Sequence, residues 1–356
     1  MPAPPSPSST KAYAALSPYL IPPALSNKKR VNYGDGIILR AIERHVGRLS
    51  PGGILSPRMP LSAHDKQKLT LSSGVILAGA NQLNDNYTIW PSLTPDQLRD
   101  LPVRFIPFGV GIHGEDGRTS ELSPQSREII SIIHERILFS SWRCPATVEY
   151  LRKSLPHLSE KFLMTGCPVL YDRPLLDGAP FAERIDRISV TVTERGDFLQ
   201  RELSLLRHVA QALPSTTRFL TLHQNFSPPA SFESLRHRLG RSPANQVETL
   251  RLEARRLGYK ILIPRSADEL IRFYKTIDAH VGSRLHAHLL CLSLAKRTAL
   301  IGVDGRATGI AEHFGFPLYA PENIAEGLRE NFEPIRDRAR STFPVMQKFL
   351  NSIFFE

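Results

Sequence analysis

The chain has 356 residues, 41% hydrophobic and 22% charged, the composition of a soluble globular protein long enough for two domains. Lys and Arg outnumber Asp and Glu by 45 to 34, a formal net charge of +11, and no apolar run approaches the roughly 18 residues that a membrane-spanning helix needs. The basic residues are spread along the chain without aromatic interleaving or a helix-turn-helix pattern. Nucleic acid is therefore not the expected partner, and phosphorylated substrates or peripheral association with the inner membrane face account for the charge.

In chain order, residues 1–30 open on MPAPPSPSSTK, too rich in Pro and Ser for a secretory signal, and read as a disordered or irregular leader. Helices are expected at Gly36–Leu49, Gln125–Glu135 and Ala146–Lys153, and strands at Val75–Ala78, Arg104–Phe108 and Ile137–Ser140. Cys144, Cys167 and Cys291 are far apart and form no C-x-x-C pair, so the expectation is a cytoplasmic protein with reduced thiols. The charged, Pro- and Gly-bearing stretch Asp172–Arg187 reads as a hinge between two α/β domains. Beyond it, Ile188–Val192 alternates like a strand, and Leu199, Leu203, Leu206 and Ala210 recur on one helix face. Strands at Arg218–His223, Tyr259–Pro264, Ala279–Gly282 and Ala299–Val303 then alternate with helices at Gln246–Leu257, after Ser266, and from Ser283 to about Lys296. Ser266 with Glu269 makes a capping-box pattern. Such alternation predicts parallel sheets covered on both faces, with a helical segment over Pro321–Phe355 packing back.

The most informative stretch is DAHVGSRLHAHLLCLSLAKR, Asp278–Arg297. A strand ends at Gly282, Ser283 reads as an N-cap, and Arg284 and His286 fall on the first helical turn. A helix start offers backbone N–H groups and a favourable dipole to an anion. Arg284 adds a guanidinium suited to carboxylate or phosphate, and His286 a proton donor and acceptor near neutral pH. The plainer reading is a surface arginine and a polar residue satisfied at a helix start. A metal site of Asp278, His280, His286 and His288 is disfavoured, because two histidines two residues apart diverge by about 200° on a helix. Arg143, before Pro145 at the start of another expected helix, has the same two readings. Cys144 lacks the His/Asp partner pattern of a nucleophile. Asn32-Tyr33-Gly34-Asp35-Gly36 and Gly109-Val110-Gly111 are glycine-bearing loops suited to phosphate or sugar oxygens, or simply to tight turns.

Taken together, these segments resemble the polysaccharide pyruvyl transferase family. Asn32-Tyr33-Gly34-Asp35 is similar to its N-x-G-D, and Phe108-Gly109-Val110-Gly111 to its mid-domain glycine motif. Ser140-Ser141-Trp142-Arg143 with Thr147 and Leu151 resembles its S-x-R-[DS]-x-x-T stretch, and Gly166-Cys167-Pro168 its closing C-P. Gly282-Ser283-Arg284-Leu285-His286-Ala287 matches its G-x-R-L-H-A, followed by Asp304, Arg306 and Gly309 as D-x-[KR]-x-x-G. The resemblance runs from about Asn32 to Tyr319.

It implies two Rossmann-like domains in a GT-B-like arrangement: an acceptor-side domain over 31–180, a phosphoenolpyruvate-side domain over 181–330, and a C-terminal helical segment over 331–356 packing back across the cleft. It also implies transfer of the pyruvyl unit of phosphoenolpyruvate to two hydroxyls of a sugar in a cell-surface polysaccharide or its lipid-linked precursor, giving a ketal and phosphate, with neither metal nor further cofactor. Carried over by position, Arg143, Arg284, Leu285 and His286 would bind phosphoenolpyruvate, with His286 and Arg284 catalytic, and Asn32 and Asp35 would face the acceptor. Cys144 and the turn Ala78-Gly79-Ala80-Asn81 depart from the family pattern. Two other readings stay open: a GT-B glycosyltransferase using a nucleotide sugar, with Glu312 as ribose-binding carboxylate, and a non-catalytic sugar-phosphate-binding protein.

Overall fold

A computed structural model describes residues 12–26, 30–47, 49–112, 121–193, 196–224 and 243–354. The first half runs β1 (Tyr13–Leu16), α1 (Tyr33–Val46), β2 (Leu49–Leu55), α2 (Ala63–Thr70), β3 (Val75–Ala78), β4 (Asn81–Leu83), α3 (Pro95–Arg99), β5 (Phe105–Phe108) and β6 (Gly111–Ile112). It continues through α4 (Pro124–Glu135), β7 (Ser140–Trp142), α5 (Pro145–Ser154), β8 (Phe162–Met164) and the short α6 (Arg173–Leu176). The second half runs β9 (Arg187–Thr191), α7 (Leu199–Ala212), β10 (Thr217–Thr221), α8 (Pro243–Arg256), β11 (Lys260–Leu262), α9 (Ala267–Lys275), β12 (Ala279–Gly282), α10 (Leu285–Ser293) and β13 (Arg297–Leu300). After α11 (Gly305–Phe314) and α12 (Ile324–Gly327), the long α13 (Glu333–Phe354) closes the described chain.

Both halves are parallel sheets. The first has the order β2-β1-β3-β5, with Ala15 opposite Ile76 and Val75 opposite Phe105. A bridge between Val110 and Trp142 and the β7–β8 pair extend it. The second has the order β11-β10-β9-β12-β13: in space, the third, second, first, fourth and fifth strands of that half. This is the Rossmann order, in which helices cross right-handedly to both faces. Strands covered on both faces read as continuous apolar runs, as Val75-Ile76-Leu77-Ala78 does with all four residues buried.

The reading of residues 1–30 as an irregular leader is corrected in part. Residues 1–11 lie outside the described residues, but Tyr13–Leu16 is an inner strand of the first sheet, paired on both sides, with all four residues buried. Four small and apolar residues beside a Pro- and Ser-rich stretch carry no period to announce a strand. Other boundaries move for local reasons. α1 starts at Tyr33 because Asn32 accepts the Gly34 amide at 3.0 Å. α10 stops at Ser293, where Ala295 turns left-handed at φ 52. Ser266 caps α9 by accepting the Glu269 amide, while the Glu269 carboxylate accepts from Arg265, so only half of the expected box forms.

The halves form a GT-B-like pair with the carboxyl ends of their strands turned toward a common seam. One apolar cluster runs through β1, β3, β5, α1, α9 and α10, so the contact between the halves is core-like. α13 spans both: Thr342 meets His313 of α11 at 3.2 Å, Phe349 meets Phe108 of β5 edge-on at 4.9 Å, and Tyr13 donates to the Ile353 carbonyl at 2.8 Å. The stretch Asp172–Arg187 is tied down on both sides. Its Ala179 and Ala182 carbonyls accept from Arg336 of α13 and Arg297 of β13, and Phe181 stacks on Phe332. Among the described residues no helix is long and apolar enough to cross a membrane.

Candidate functional site

In a sheet of Rossmann order the chain reverses between its first and fourth strands, and ligands bind outside the carboxyl ends there. In the second half those strands are β9 and β12. Gly282 ends β12 at φ +137, a conformation that L side chains rarely adopt, and an added Cβ would overlap the Thr191 carbonyl oxygen. Glycine thus lets the two strand ends close together, and the Ser283 amide donates to that same carbonyl at 3.1 Å. Arg284 follows in an extended conformation as the N-cap of α10, with its amide on the Thr191 hydroxyl at 3.3 Å and its Nε donating to the Val192 carbonyl at 3.1 Å. The Arg284 side chain makes no cap bond to α10. The first-turn amides of Leu285 and His286 stand outside the helix's own ladder, as at any helix start.

This corrects the expected cap. Ser283 is not the N-cap, because its hydroxyl donates to Glu202 at 2.6 Å. Arg284 takes the cap position, and Leu285 and His286 become the first and second helical residues.

The junction opens into a cavity of ≈ 220 Å³. Its second-half walls are Thr193, His223, Gln224, the run Ser283–His286, Val303, Asp304 and Ala307, while Asn32 and Gly34 close it from the first half. The first-half wall is held in place by the backbone. Tyr33 donates to the His223 carbonyl at 2.9 Å, and Asn32 bridges to Gln224. His286 is 7% exposed, and its Nδ1 lies so close to the first turn of α1 that a Cβ on Gly34 would stand 3.2 Å from it.

Two buried polar systems stiffen the junction from behind. His288 Nδ1 and His280 Nδ1 each lie 2.9 Å from the Thr298 hydroxyl, and His280 Nε2 lies 2.9 Å from the Thr191 hydroxyl that receives the Arg284 amide. Burial keeps these imidazoles neutral: His288 is lowered to about 3, and His280 well below its usual value, with His288 and His223 adding to the effect. His280 and His288 therefore serve a hydrogen-bonded chain. Among the described residues no group of three or more His, Cys, Asp or Glu is gathered to hold a metal ion. On the other side, fully buried Glu202 accepts from Ser283 and, at 2.8 Å, from Arg201, whose other arm donates to the Gly302 carbonyl at 2.9 Å. Burial raises the Glu202 carboxyl pKa against these partners. The network ties the ends of β12 and β13 to one helix.

Of the residues singled out from sequence, Asn32, Arg284, Leu285 and His286 meet in the cavity wall. Asp35, in the same first turn as Gly34, is buried and does not line it. Arg143 is also outside the lining. It stands at the end of β7, 2% exposed, with its amide on the Val110 carbonyl and its guanidinium packed flat on Gly111. The expected juxtaposition of Arg143 and Arg284 across the cleft is thus not made in the cavity wall. Cys144 is buried, 3.0 Å from the Thr147 hydroxyl, and faces Gly309 of α11. The side chain of Arg306 lies outside the described residues. Sequence reasoning missed Thr193, His223, Gln224 and Glu202. Glu202 left a trace: it occupies the buried stripe of α7 with Leu205, Leu206 and Val209, where a carboxylate needs partners.

Two Rossmann-type halves with a small cavity at their seam define a GT-B-like α/β protein. A family model described as Polysaccharide pyruvyl transferase matches residues 32–305, and the chain belongs to that family. It is accordingly a transferase. Comparison with curated proteins finds no match. Among solved structures, the chain is similar to UDP-GlcNAc 2-epimerase from Neisseria meningitidis bound to UDP-GlcNAc, at 11% identity over 88% of each chain and a TM-score of 0.49. UDP-GlcNAc 2-epimerase from Methanocaldococcus jannaschii matches at 10% identity over 95% of this chain and 99% of that one, TM-score 0.45. A variant of the wall teichoic acid polymerase TagF matches at 11% identity over 97% and 84%, TM-score 0.43.

Proposed function

We propose that the protein transfers the pyruvyl group of phosphoenolpyruvate to two hydroxyls of a saccharide, free, polymeric or lipid-linked, forming a ketal and releasing phosphate. The observation that carries this reading is the cavity at the switch point, walled by Arg284, His286 and the start of α10. Pockets for drug-sized ligands span ~300–1,000 Å³. A cavity of ≈ 220 Å³ lies below that range and has room for a compact anion.

The residues take up the chemistry as follows. Arg284 and the Leu285 and His286 amides bind the donor's negative charge, which grows on the phosphate as it leaves. His286 delivers a proton to the donor's methylene carbon, making the adjacent carbon electrophilic. One sugar hydroxyl adds there, phosphate departs, and the second hydroxyl closes the ketal. The two hydroxyl protons return to His286 and to phosphate, so the imidazole ends as it began. Asn32 faces the acceptor hydroxyls from the opposite wall, with Asp35 supporting its turn. Arg143, packed under Gly111 at the end of β7, contributes charge from the first half. The reaction is assigned to the cytoplasmic side, and phosphoenolpyruvate supplies its own leaving group.

The test incubates the enzyme with phosphoenolpyruvate, nucleotide sugars and candidate glycans, and looks for a ketal carbon by carbon NMR. His286→Ala is expected to fold and to release no phosphate. Retained phosphate release in that variant would remove His286 from the mechanism. A glycosidic product from a nucleotide sugar, without a ketal, would overturn the reading as a whole.

A further inference from the structure

His223 belongs to the cavity wall just beyond the end of β10, and none of the transfer steps engages it. Strand residues alternate between faces, so His223 turns to the same side of the sheet as Thr221. There it meets Tyr274 of α9, which is fully buried and stands 2.7 Å from His223 Nε2. The Tyr274 hydroxyl also bonds Ser189 of β9, whose own hydroxyl lies 2.8 Å from that of Thr221. The rings of His223 and His280 flank Tyr274 at 5.9 and 6.0 Å. The imidazole is therefore gripped from behind by one hydrogen bond and one ring.

A neutral imidazole carries a single ring proton, and the bond made by one nitrogen decides which nitrogen holds it. Burial raises the Tyr274 hydroxyl well above its usual pKa, so the phenol keeps its proton. Burial also lowers His223 to about 3, so the imidazole is uncharged at neutral pH. Of the two atoms beside the phenol, the imidazole nitrogen is the stronger base, and Tyr274 donates to it. The ring proton then sits on Nδ1, which has no partner among the described residues.

We propose that His223 is a fixed, uncharged hydrogen-bond donor of the cavity, its Nδ1–H directed at an oxygen of bound phosphoenolpyruvate, with Tyr274 as the positioning residue that sets this tautomer. The inference rests on the pyruvyl-transfer reading for the identity of the anion. The two imidazoles of the wall then have separate tasks. His286 moves a proton, whereas His223 keeps its own and holds the donor, adding no second labile proton beside the methylene carbon.

The test uses the full chain labelled with nitrogen-15 histidine and long-range proton–nitrogen NMR at pH 7, which separates protonated from unprotonated ring nitrogens. His223 is assigned by the signals that vanish in His223→Asn. The expected wild-type ring is protonated on Nδ1, that nitrogen shifts when phosphoenolpyruvate or inorganic phosphate is added, and Tyr274→Phe moves the proton wholly or partly to Nε2. Calorimetry supplies the affinities. Asparagine places an amide near the position of Nδ1, and glutamine places one near that of Nε2. Because hydrogen bonds to charged groups are the strong ones, phosphoenolpyruvate should bind about tenfold more weakly to His223→Gln and within about threefold of wild type to His223→Asn. In Tyr274→Phe the donor KM should rise more than kcat falls. A wild-type ring protonated on Nε2, an Nδ1 signal that neither anion moves, or equal binding by the two amide variants would each overturn the assignment. Should phosphate move Nδ1 while phosphoenolpyruvate fails to bind, the donor role of His223 stands and the pyruvyl-transfer reading falls.

Discussion

Arg284 and Glu202 hold the same helix start from opposite sides, and each makes a separate prediction. Arg284 is a planar fork whose Nε is already spent on the Val192 carbonyl, so its orientation is set before any ligand arrives. Arg284→Lys keeps the charge and loses the fork. Charge-assisted hydrogen bonds are worth about 1.5–3 kcal/mol, so the donor KM should rise about tenfold or more. An unchanged KM would remove Arg284 from the donor site. Glu202 is fully buried and bonded to Ser283 and Arg201. Truncating one member of a buried charged pair typically costs about 3–5 kcal/mol. Because Arg201 is 25% exposed and water relieves part of that cost, Glu202→Ala is expected to cost about 2–3 kcal/mol in urea denaturation. Donor affinity should weaken in parallel, since the Ser283–Arg284 turn loses its anchor. Full stability in Glu202→Ala would show that the network is incidental.

Secondary elements differ in how plainly the sequence announces them, and the difference has a physical cause. β3 was legible to the residue because a strand covered on both faces is an unbroken apolar run between turn residues, and β12 because its glycine end runs straight into a helical apolar spacing. β1 has the same burial, but Tyr-Ala-Ala-Leu is short and follows a Pro- and Ser-rich stretch, so pairing partners far along the chain define it. The site divides similarly. Arg284 and His286 were visible because a strand-to-helix junction has a local signature, whereas His223 and Gln224 enter the cavity only through the contact of β10 with the α1 loop. α13 is an element whose amphipathic face says that it packs, though not on what. It lands on β5 through Phe349, which is fully buried. Phe349→Ala is expected to cost about 3–5 kcal/mol, read as a lower urea midpoint, and a cost under about 1 kcal/mol would mean that the helix is only loosely seated.

At the scale of the whole molecule, buried imidazoles set the response to acid. Burial lowers His45 and His134 to about 4 and His223 and His288 to about 3, and it pushes His280 well below its usual range. In the unfolded chain each takes up a proton near pH 6.5. Between that pH and the lowered folded values the unfolded state binds more protons, so stability is complete above pH 6.5 and falls as pH drops toward 4. Each such histidine contributes a slope of about 1.4 kcal/mol per pH unit. The urea midpoint should therefore fall steadily from pH 7 to 5, before most carboxylates titrate, and a flat profile over that range would contradict neutral burial. The bond from Tyr13 to the Ile353 carbonyl, 340 residues apart in sequence, bears instead on the order of assembly. At about 5–20 residues per second, the ribosome emits β1 many seconds before α13. The sheet that contains β1 must wait with the face around Phe108 bare until α13 arrives, so the first half of the nascent chain carries apolar surface that only the last helix covers.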